Sequence, residues 1–288
     1  MMLAFQILLP AFLACLVLTG FLAYLGLHVL ARGVIFVDIA LAQIAALGTA
    51  VAALMGVEPH TPTSYGWSLL FTTVGAALFA STRSLRKQIP QEAFIGITYA
   101  VAAAAAILVA NFLPHGDEEI KEILVGSLLT VGLPEVGITA LIFLVLGAVH
   151  FAFRRRFLAL SFEHDADGDE SINTALWDFG FYVTFGVVIT SAVQMAGVLL
   201  VFSFLIVPAV FSALFARRLL LRLLLAWTLG FVVSLAGLWA SFSFDLPSGA
   251  AVVVTFGLAL VLGAAVRVVW PALRPKPELR PTSALPTS

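Results

Sequence analysis

The stretch from Trp177 to Ala216 reads WDFGFYVTFGVVITSAVQMAGVLLVFSFLIVPAVFSALFA and is almost entirely apolar. A transmembrane helix needs roughly 20 apolar residues to cross a hydrocarbon core about 30 Å thick. These 40 residues are therefore long enough for two crossings. We place a tight hairpin at Gln194 to Gly197, because a turn there leaves Arg154 to Arg156 and Arg217 on the same side of the membrane.

The whole chain has the composition of a membrane protein. Of its 288 residues, 61% are hydrophobic and only 11% are charged, and the mean hydropathy is +1.09. Soluble domains are far more polar. The apolar runs are continuous rather than alternating, which favours helices over barrel strands. The single cysteine, Cys15, excludes a disulfide within the chain. We predict an all-α polytopic membrane protein with about nine transmembrane helices, within a range of eight to ten.

Short polar breaks separate the predicted spans. These cover residues 5–30, 34–55, 67–81, 93–112, 136–153, 177–194, 197–216, 223–243 and 250–270. The apolar run from Ile123 to Gly132 is too short to span, so it is predicted to be a re-entrant or interfacial helix. Residues 1–270 form one transmembrane domain in this interpretation. The five prolines between Pro271 and Ser288 predict a disordered cytoplasmic tail over residues 271–288.

The basic residues orient these spans. Fourteen of the 15 Lys and Arg residues fall in breaks on one side, and only Lys121 falls on the other. Basic residues in short loops mark the cytoplasmic side. The N-terminus is then outside, in a multi-pass protein of the inner (plasma) membrane. The first run is not expected to be a signal peptide, because its first basic residue, Arg32, follows the apolar run.

This orientation predicts the result of a labelling experiment. After Cys15 is replaced, Gly116→Cys is expected to react with a membrane-impermeant thiol reagent in intact cells, and Ala166→Cys is not. The two positions lie in breaks on opposite sides of the predicted arrangement. The reverse labelling pattern would overturn the nine-span arrangement.

Asp38 lies in the second apolar run and is the main candidate for a transport path. An ionisable group at the centre of a span costs about 2.5–3.5 kcal/mol on insertion scales, and such groups face a cavity or a partner. From the residues alone, two roles stay open: a place on an ion path, or a structural pair with Arg32. Gln43 lies one and a half turns deeper, where a glutamine more often joins helices by hydrogen bonds.

Other polar residues are weaker candidates. Glu92 is expected to cap the fourth span. His115 is expected to lie in a solvated outer loop, with electrostatic attraction of cations as the alternative. The segment from Asp165 to Glu170 begins like a calcium loop but lacks the glycine and the bidentate glutamate of such a site. Most of the five histidines are expected at the membrane interface, and none has the helical spacing of a metal clamp. No G-x-x-x-x-G-K-[ST] loop occurs, so this chain cannot hydrolyse ATP by the P-loop route.

Three segments together resemble the sequence motifs of a known protein family. Gly197 to Val201 (GVLLV) is followed by Leu205 to Ala209 (LIVPA), Asp245 to Gly249 reads DLPSG, and Arg32 to Gly48 combines basic, aromatic, acidic and small residues. In order and spacing, these segments resemble the permease subunits of the ABC importers for zinc, manganese and iron. The resemblance covers residues 5–270.

The resemblance implies a permease bundle that imports a divalent metal ion. It also implies a homodimer with a central path, an extracytoplasmic metal-binding protein that delivers the ion, and a separate ATPase subunit. The chain is then expected not to be an enzyme and to bind no cofactor besides the transported ion. The segment from Phe157 to Thr174 is expected to contact the ATPase.

The second span departs from the family pattern. The family has G-D-x-L-S-H there, with the acid and the histidine four residues apart. Here Gln43 takes the histidine position and Asp38 falls one residue early, so the two side chains are roughly 140° apart around the helix. We assign Asp38 and Gln43 to the translocation path, with Asp38 from each of two subunits supplying carboxylates. The missing histidine favours manganese or iron over zinc.

Other kinds of protein remain as alternatives. An ABC permease for a chelated metal or small cofactor would carry the same segments. A stand-alone secondary transporter or channel would need no ATPase, but several paired intramembrane charges would be expected in it. An intramembrane enzyme would need a convergent set such as H-E-x-x-H, which is not present.

Overall fold

The computed structural model describes residues 2–58, 61–82, 89–113, 128–162 and 174–273, and within these ranges the chain forms ten helices and no strands. The helices are α1 (Met2–Arg32), α2 (Val37–Leu54), α3 (Pro62–Ser81), α4 (Gln91–Ala110), α5 (Leu133–Ala152), α6 (Arg154–Phe162), α7 (Thr174–Ala196), α8 (Val198–Phe215), α9 (Leu219–Phe244) and α10 (Ser248–Leu273). The all-α prediction is confirmed.

Eight of the described helices are long and apolar enough to cross a membrane: α1, α2, α4, α5 and α7 to α10. The remaining predicted span, residues 67–81, corresponds to α3, which has 20 residues and no charged side chain but is less apolar because of its serines and threonines. The nine residues of α6 are too few to span. The described part of the chain is therefore a multi-pass membrane protein within the predicted range of spans.

Three boundaries of the predicted spans and segments differ from those in the structure. α3 begins at Pro62 rather than residue 67, because Thr61 accepts a hydrogen bond from the backbone N–H of Ser64 and Pro62 suits the first turn. α10 continues to Leu273, so Pro271 lies in a helix and not in the predicted tail; residues 274–288 lie outside the described residues. The predicted interfacial helix from Ile123 is described only from residue 128, where the chain forms bends and turns.

The predicted hairpin is confirmed. α7 ends at Ala196, α8 begins at Val198, and Gly197 between them has φ +79°. Glycine adopts this left-handed conformation without the steric penalty of a Cβ. The glycine therefore allows two spans to follow one another with a single residue between them.

The helices pack in two groups. α2 lies against α3 and α4, and α3 also lies against α7. α1 lies against α8 and α9, and α10 packs on both of these. Gly26 of α1 lies directly against the backbone carbonyl of Leu205 in α8, where a Cβ would have no room. Such close approach at small residues is typical of helix packing in lipid, where association depends on packing and not on hydrophobicity.

Candidate functional site

Asp38 is a buried acid with no hydrogen-bond partner among the described residues. It lies in the first turn of α2, and only 2% of its surface is exposed. Neither of its carboxylate oxygens has a hydrogen-bond partner in the described part of the chain. Buried charged groups are normally paired, because the loss of hydration is costly. An unpaired acid inside a span does not stabilise the fold, and acids in such positions typically have a function.

Arg32 does not pair with Asp38, so the structural alternative drawn from the sequence is wrong. Its Nη1 donates instead to Oδ1 of Asp178 over 2.8 Å. Its Nε donates to the hydroxyl of Ser161 over 2.9 Å, and its guanidinium carbon lies 3.8 Å from the centre of the Phe181 ring. The Arg32 and Asp178 side chains are only 4% and 3% exposed. This ion pair joins the end of α1 to the start of α7.

Gln43 lies on the same helix as Asp38 and is also buried, with 7% of its surface exposed. The helix that contains both residues, α2, packs against α3, α4 and α7. These exposed fractions are those of a single chain, so residues of the chain itself enclose the Asp38 carboxylate. The assignment of Asp38 and Gln43 to the translocation path stays a prediction.

Hydroxyl groups form a buried band between α2, α3 and α7, which we call the hydroxyl seam. Three of its members, Ser64, Ser68 and Thr72, are spaced four residues apart on α3 and are 1–2% exposed. Residues at this spacing lie on one face of a helix. The seam consists of Thr49, Ser64, Tyr65, Ser68, Thr72, Thr190 and Ser191.

Hydrogen bonds across the seam join the three helices. Thr49 Oγ1 of α2 lies 2.6 Å from Ser68 Oγ of α3, and Thr72 Oγ1 of α3 lies 3.0 Å from Thr190 Oγ1 of α7. Each of the two α3 hydroxyls also donates to a carbonyl one turn earlier in its own helix. The seam is therefore closed by its own hydrogen bonds in this conformation.

Glycines on both neighbouring helices allow this close packing on α3. A Cβ added at Gly48 of α2 would lie 2.9 Å from the carbonyl oxygen of Trp67. A Cβ added at Gly186 of α7 would lie 2.6 Å from Cγ2 of Thr72. The absence of side chains at both positions brings the hydroxyls of three helices within hydrogen-bonding distance.

A cavity of about 320 Å³, lined by both apolar and polar side chains, lies where α3 and α5 begin and α7 ends. The predicted orientation places this end outside, and we call the space the outer cavity. Tyr65 OH and Ser191 Oγ, 2.7 Å apart, form its boundary with the hydroxyl seam. The side chains that matter for its chemistry are Tyr65, Glu135, Thr139, Ser191, Gln194 and Met195.

A second cavity, of about 480 Å³, lies beside the C-terminal half of α1 and is lined mainly by leucine and aromatic side chains. His28 and His150 line it and are 1% and 2% exposed, so both are buried within the protein. His28 Nδ1 lies 2.8 Å from Ser161 Oγ, and His150 Nε2 lies 2.9 Å from Thr184 Oγ1. Among the described residues, no carboxylate lines this cavity. The outer cavity is therefore the better candidate for a cation.

The remaining sequence candidates are structural or lie outside the described residues. Glu92 lies in the first turn of α4, as predicted, and its Oε1 accepts a hydrogen bond from the backbone N–H of Ile35 over 2.9 Å. His115 and the segment from Asp165 to Glu170 lie outside the described residues. Within the described ranges, no group of three or more His, Cys, Asp or Glu side chains could hold a metal ion.

Sequence reasoning missed the hydroxyl seam, the role of Asp178 and the outer cavity. A signal for the seam existed in the four-residue spacing of Ser64, Ser68 and Thr72 within an uncharged run. A signal for Asp178 existed in its position at the start of an otherwise uncharged 40-residue stretch. The outer cavity had no such signal, because its walls come from helices far apart in the sequence.

A multi-pass helical bundle with an unpaired buried acid and a polar seam between its helices is typical of membrane transport proteins. The model of one transport family, described as the ABC 3 transport family, matches residues 4–267. The chain belongs to this family.

Individual proteins are similar over most of their length. The manganese transport system membrane protein MntC of Listeria monocytogenes is 28% identical over 229 residues, which cover 77% of this chain and 80% of that protein. The manganese import system permease protein ScaB of Streptococcus gordonii is 21% identical over 258 residues, which cover 90% of each. The structure of PsaBC from Streptococcus pneumoniae in complex with Fab superposes with a TM-score of 0.75 at 22% identity, and covers 90% of this chain and 91% of that chain. The similarity to this solved structure shows that the two chains share a fold.

Proposed function

We propose that this chain is the permease subunit of an ABC importer for a divalent metal ion, with manganese as the preferred cargo. The observation that carries the proposal is the match to the transport family over residues 4–267, together with two relatives named for manganese transport or import. The available ligands support this choice. Carboxylate, amide and hydroxyl oxygens suit Mn²⁺, whereas zinc prefers histidine and cysteine.

The path we propose begins at the outer cavity and follows the hydroxyl seam to Gln43 and Asp38. Hydroxyl oxygens can replace part of the hydration shell of a passing cation, and the buried carboxylate balances its charge. The seam hydroxyls are hydrogen-bonded across the α2–α3 and α3–α7 contacts. Passage of an ion therefore requires α3 to move away from both neighbours.

Energy for that movement comes from a separate ATPase subunit in this proposal, because the sequence contains no P-loop motif. The permease itself is not an enzyme and keeps no cofactor. A second copy of the chain completes a homodimer in the inner membrane, and an extracytoplasmic binding protein delivers the ion. Zinc or iron as cargo, and a metal chelate in place of the free ion, remain the alternatives to be tested.

The contact with the ATPase is proposed for the segment from Phe157 to Thr174, which begins within α6. Ser161 of α6 accepts a hydrogen bond from Arg32 at the end of α1. A movement of α6 would therefore be transmitted directly to α1. A photo-crosslinker at exposed Arg155 is expected to capture the ATPase subunit. Exposed Arg218, between α8 and α9, is the matched control position. Capture from Arg218 alone would move the contact to that turn.

Reconstitution tests the function as a whole. In vesicles that contain the permease and its ATPase, Mn²⁺ uptake is expected to require both ATP and the binding protein. Uptake of a metal chelate but not of free Mn²⁺ would identify a chelate permease. Uptake without the ATPase subunit would identify a stand-alone secondary transporter or channel.

A further inference from the structure

We propose that the cavity of about 480 Å³ beside the C-terminal half of α1 binds an anionic phospholipid from the cytoplasmic leaflet of the membrane. We call this space the lateral groove, and its walls come from α1, α5, α6 and α9. The inference goes beyond the proposed function, because it concerns a lipid and not the cargo. It needs only the membrane location of the chain and the predicted orientation.

The lateral groove opens at the apolar surface of the bundle. Three residues that line it, Phe151, Leu220 and Trp227, are also exposed on the outside of the chain. They belong to α5 and α9, which are both long and apolar enough to cross a membrane. An apolar surface on such helices lies against the hydrocarbon of the bilayer. An acyl chain can therefore enter the groove directly from the membrane.

Two glycines on the neighbouring helices α1 and α5 create the space for the chain. A Cβ added at Gly20 of α1 would meet nothing within 4 Å. A Cβ added at Gly147 of α5 would meet only a ring carbon of Phe21, at 3.9 Å. The volume of about 480 Å³ is within the range of sites that bind small molecules. Each methylene group of an acyl chain that fills this space adds to the affinity.

The charged groups of the lateral groove lie at its cytoplasmic end. Exposed Arg154 lines the groove at the start of α6, and its Nη1 donates a hydrogen bond to the carbonyl oxygen of Phe151 over 3.2 Å. Exposed Arg217 and Arg218 directly precede Leu219 in the opposite wall. A guanidinium binds phosphate through two parallel hydrogen bonds. Basic pockets between transmembrane helices on the cytoplasmic side bind anionic lipid head groups.

His28 and His150 add polar groups beside Arg154. One nitrogen of each ring lies within hydrogen-bonding distance of a hydroxyl group. The other nitrogen, Nε2 of His28 and Nδ1 of His150, has no hydrogen-bond partner among the described residues. A buried polar atom without a partner is unfavourable. The ester and glycerol oxygens of a phospholipid are suitable partners, and they lie close to its phosphate.

Arg154→Gln tests the head-group contact. The probes are phosphatidylglycerol, which is anionic, and phosphatidylcholine, which has no net charge. Each is titrated into the full chain in detergent, and bound lipid is measured by native mass spectrometry. We expect the unaltered chain to prefer phosphatidylglycerol, and Arg154→Gln to bind it about tenfold more weakly and without preference. Arg155→Gln, at an exposed residue of the same helix that does not line the groove, is the matched control and is expected to keep the preference.

Gly147→Leu tests the acyl-chain contact, because a leucine side chain at this position fills the lateral groove. We expect the binding of both lipids at this site to fall about tenfold or more. The thermal unfolding midpoint is expected to stay unchanged, since a Cβ at Gly147 makes only an ordinary contact. Gly137→Leu is the matched control, because Gly137 lies on the same helix, is exposed and does not line the groove.

Three outcomes would overturn the lipid site. Equal losses in Arg154→Gln and Arg155→Gln would show only a general attraction of lipid to a basic surface. Unchanged lipid binding in Gly147→Leu would place the lipid outside the groove. A change in the oligomeric state of Gly147→Leu would make the groove an interface between two copies of the chain.

The arginine variants keep the test decisive if Gly147→Leu does not fold. In that case the comparison of Arg154→Gln with Arg155→Gln decides alone. Lipid binding is measured without Mn²⁺ uptake, so a failure of the proposed function and a failure of the lipid site are distinguishable.

Discussion

Asp38→Asn is expected to abolish most Mn²⁺ uptake while protein abundance stays normal. The carboxylate has no partner in the described part of the chain, so its removal costs the fold no interaction. A contact to a charged group contributes about 1.5–3 kcal/mol, which corresponds to a loss of about 10- to 100-fold in transport. Uptake in reconstituted vesicles and the unfolding midpoint in detergent measure the two effects separately. The midpoint is expected to stay the same or to rise, because a buried charge is removed.

Asp245→Asn is the matched control for this experiment. Asp245 is an exposed acid in the turn before α10 with φ +54°, a conformation that asparagine tolerates well. This variant is expected to change neither uptake nor stability. Normal uptake in the Asp38→Asn variant at normal abundance would remove Asp38 from the mechanism. A lower midpoint would instead assign it a structural role.

Asp178→Asn is expected to give the opposite result: a large loss of stability with little loss of transport per folded molecule. The substitution removes the carboxylate charge that Nη1 of buried Arg32 binds over 2.8 Å. Removal of one partner of a buried ion pair typically costs about 3–5 kcal/mol. Arg32→Gln is expected to have a similar cost, because it removes the guanidinium that binds Oδ1 of Asp178. Abundance in the membrane and the unfolding midpoint are the measurements.

The double variant Arg32→Gln with Asp178→Asn separates the ion pair from other effects. It buries no unpaired charge at this position, so it is expected to be more stable than the sum of the two single losses predicts. Strictly additive losses would contradict a direct coupling between the two side chains. A severe loss of transport in stable single variants would place the pair in the transport mechanism.

The helices themselves were largely predictable from local properties. The length of the run from Trp177 to Ala216 required two spans, and Gly197 marked the turn between them. The errors occurred at helix ends, and capping decides one of these, the start of α3. Thr61 and Pro62 start α3 earlier than the apolar run does, and the helical segment that contains Pro271 continues past the last strongly apolar residues.

The candidate site was predictable only in part. Asp38 stood out because an acid within an apolar run is rare on energetic grounds. The residues that surround Asp38 could not be predicted from its position in the apolar run. The hydroxyl seam depends on α3 packing between α2 and α7, and the outer cavity depends on three helix ends meeting, which one-dimensional spacing does not encode.

The sequence by itself determined the membrane crossings, their hairpin and the family of the chain, because these depend on the length of apolar runs and on local motifs. Only the tertiary structure decided which polar groups meet. Arg32 is six residues from Asp38 in the sequence, yet it binds Asp178, which is 146 residues away. The direction of a side chain at a helix end is set by the helices packed beside it, and α1 turns Arg32 toward α7. Within the part of the chain that the structure describes, the packing of the bundle therefore leaves Asp38 without a hydrogen-bond partner.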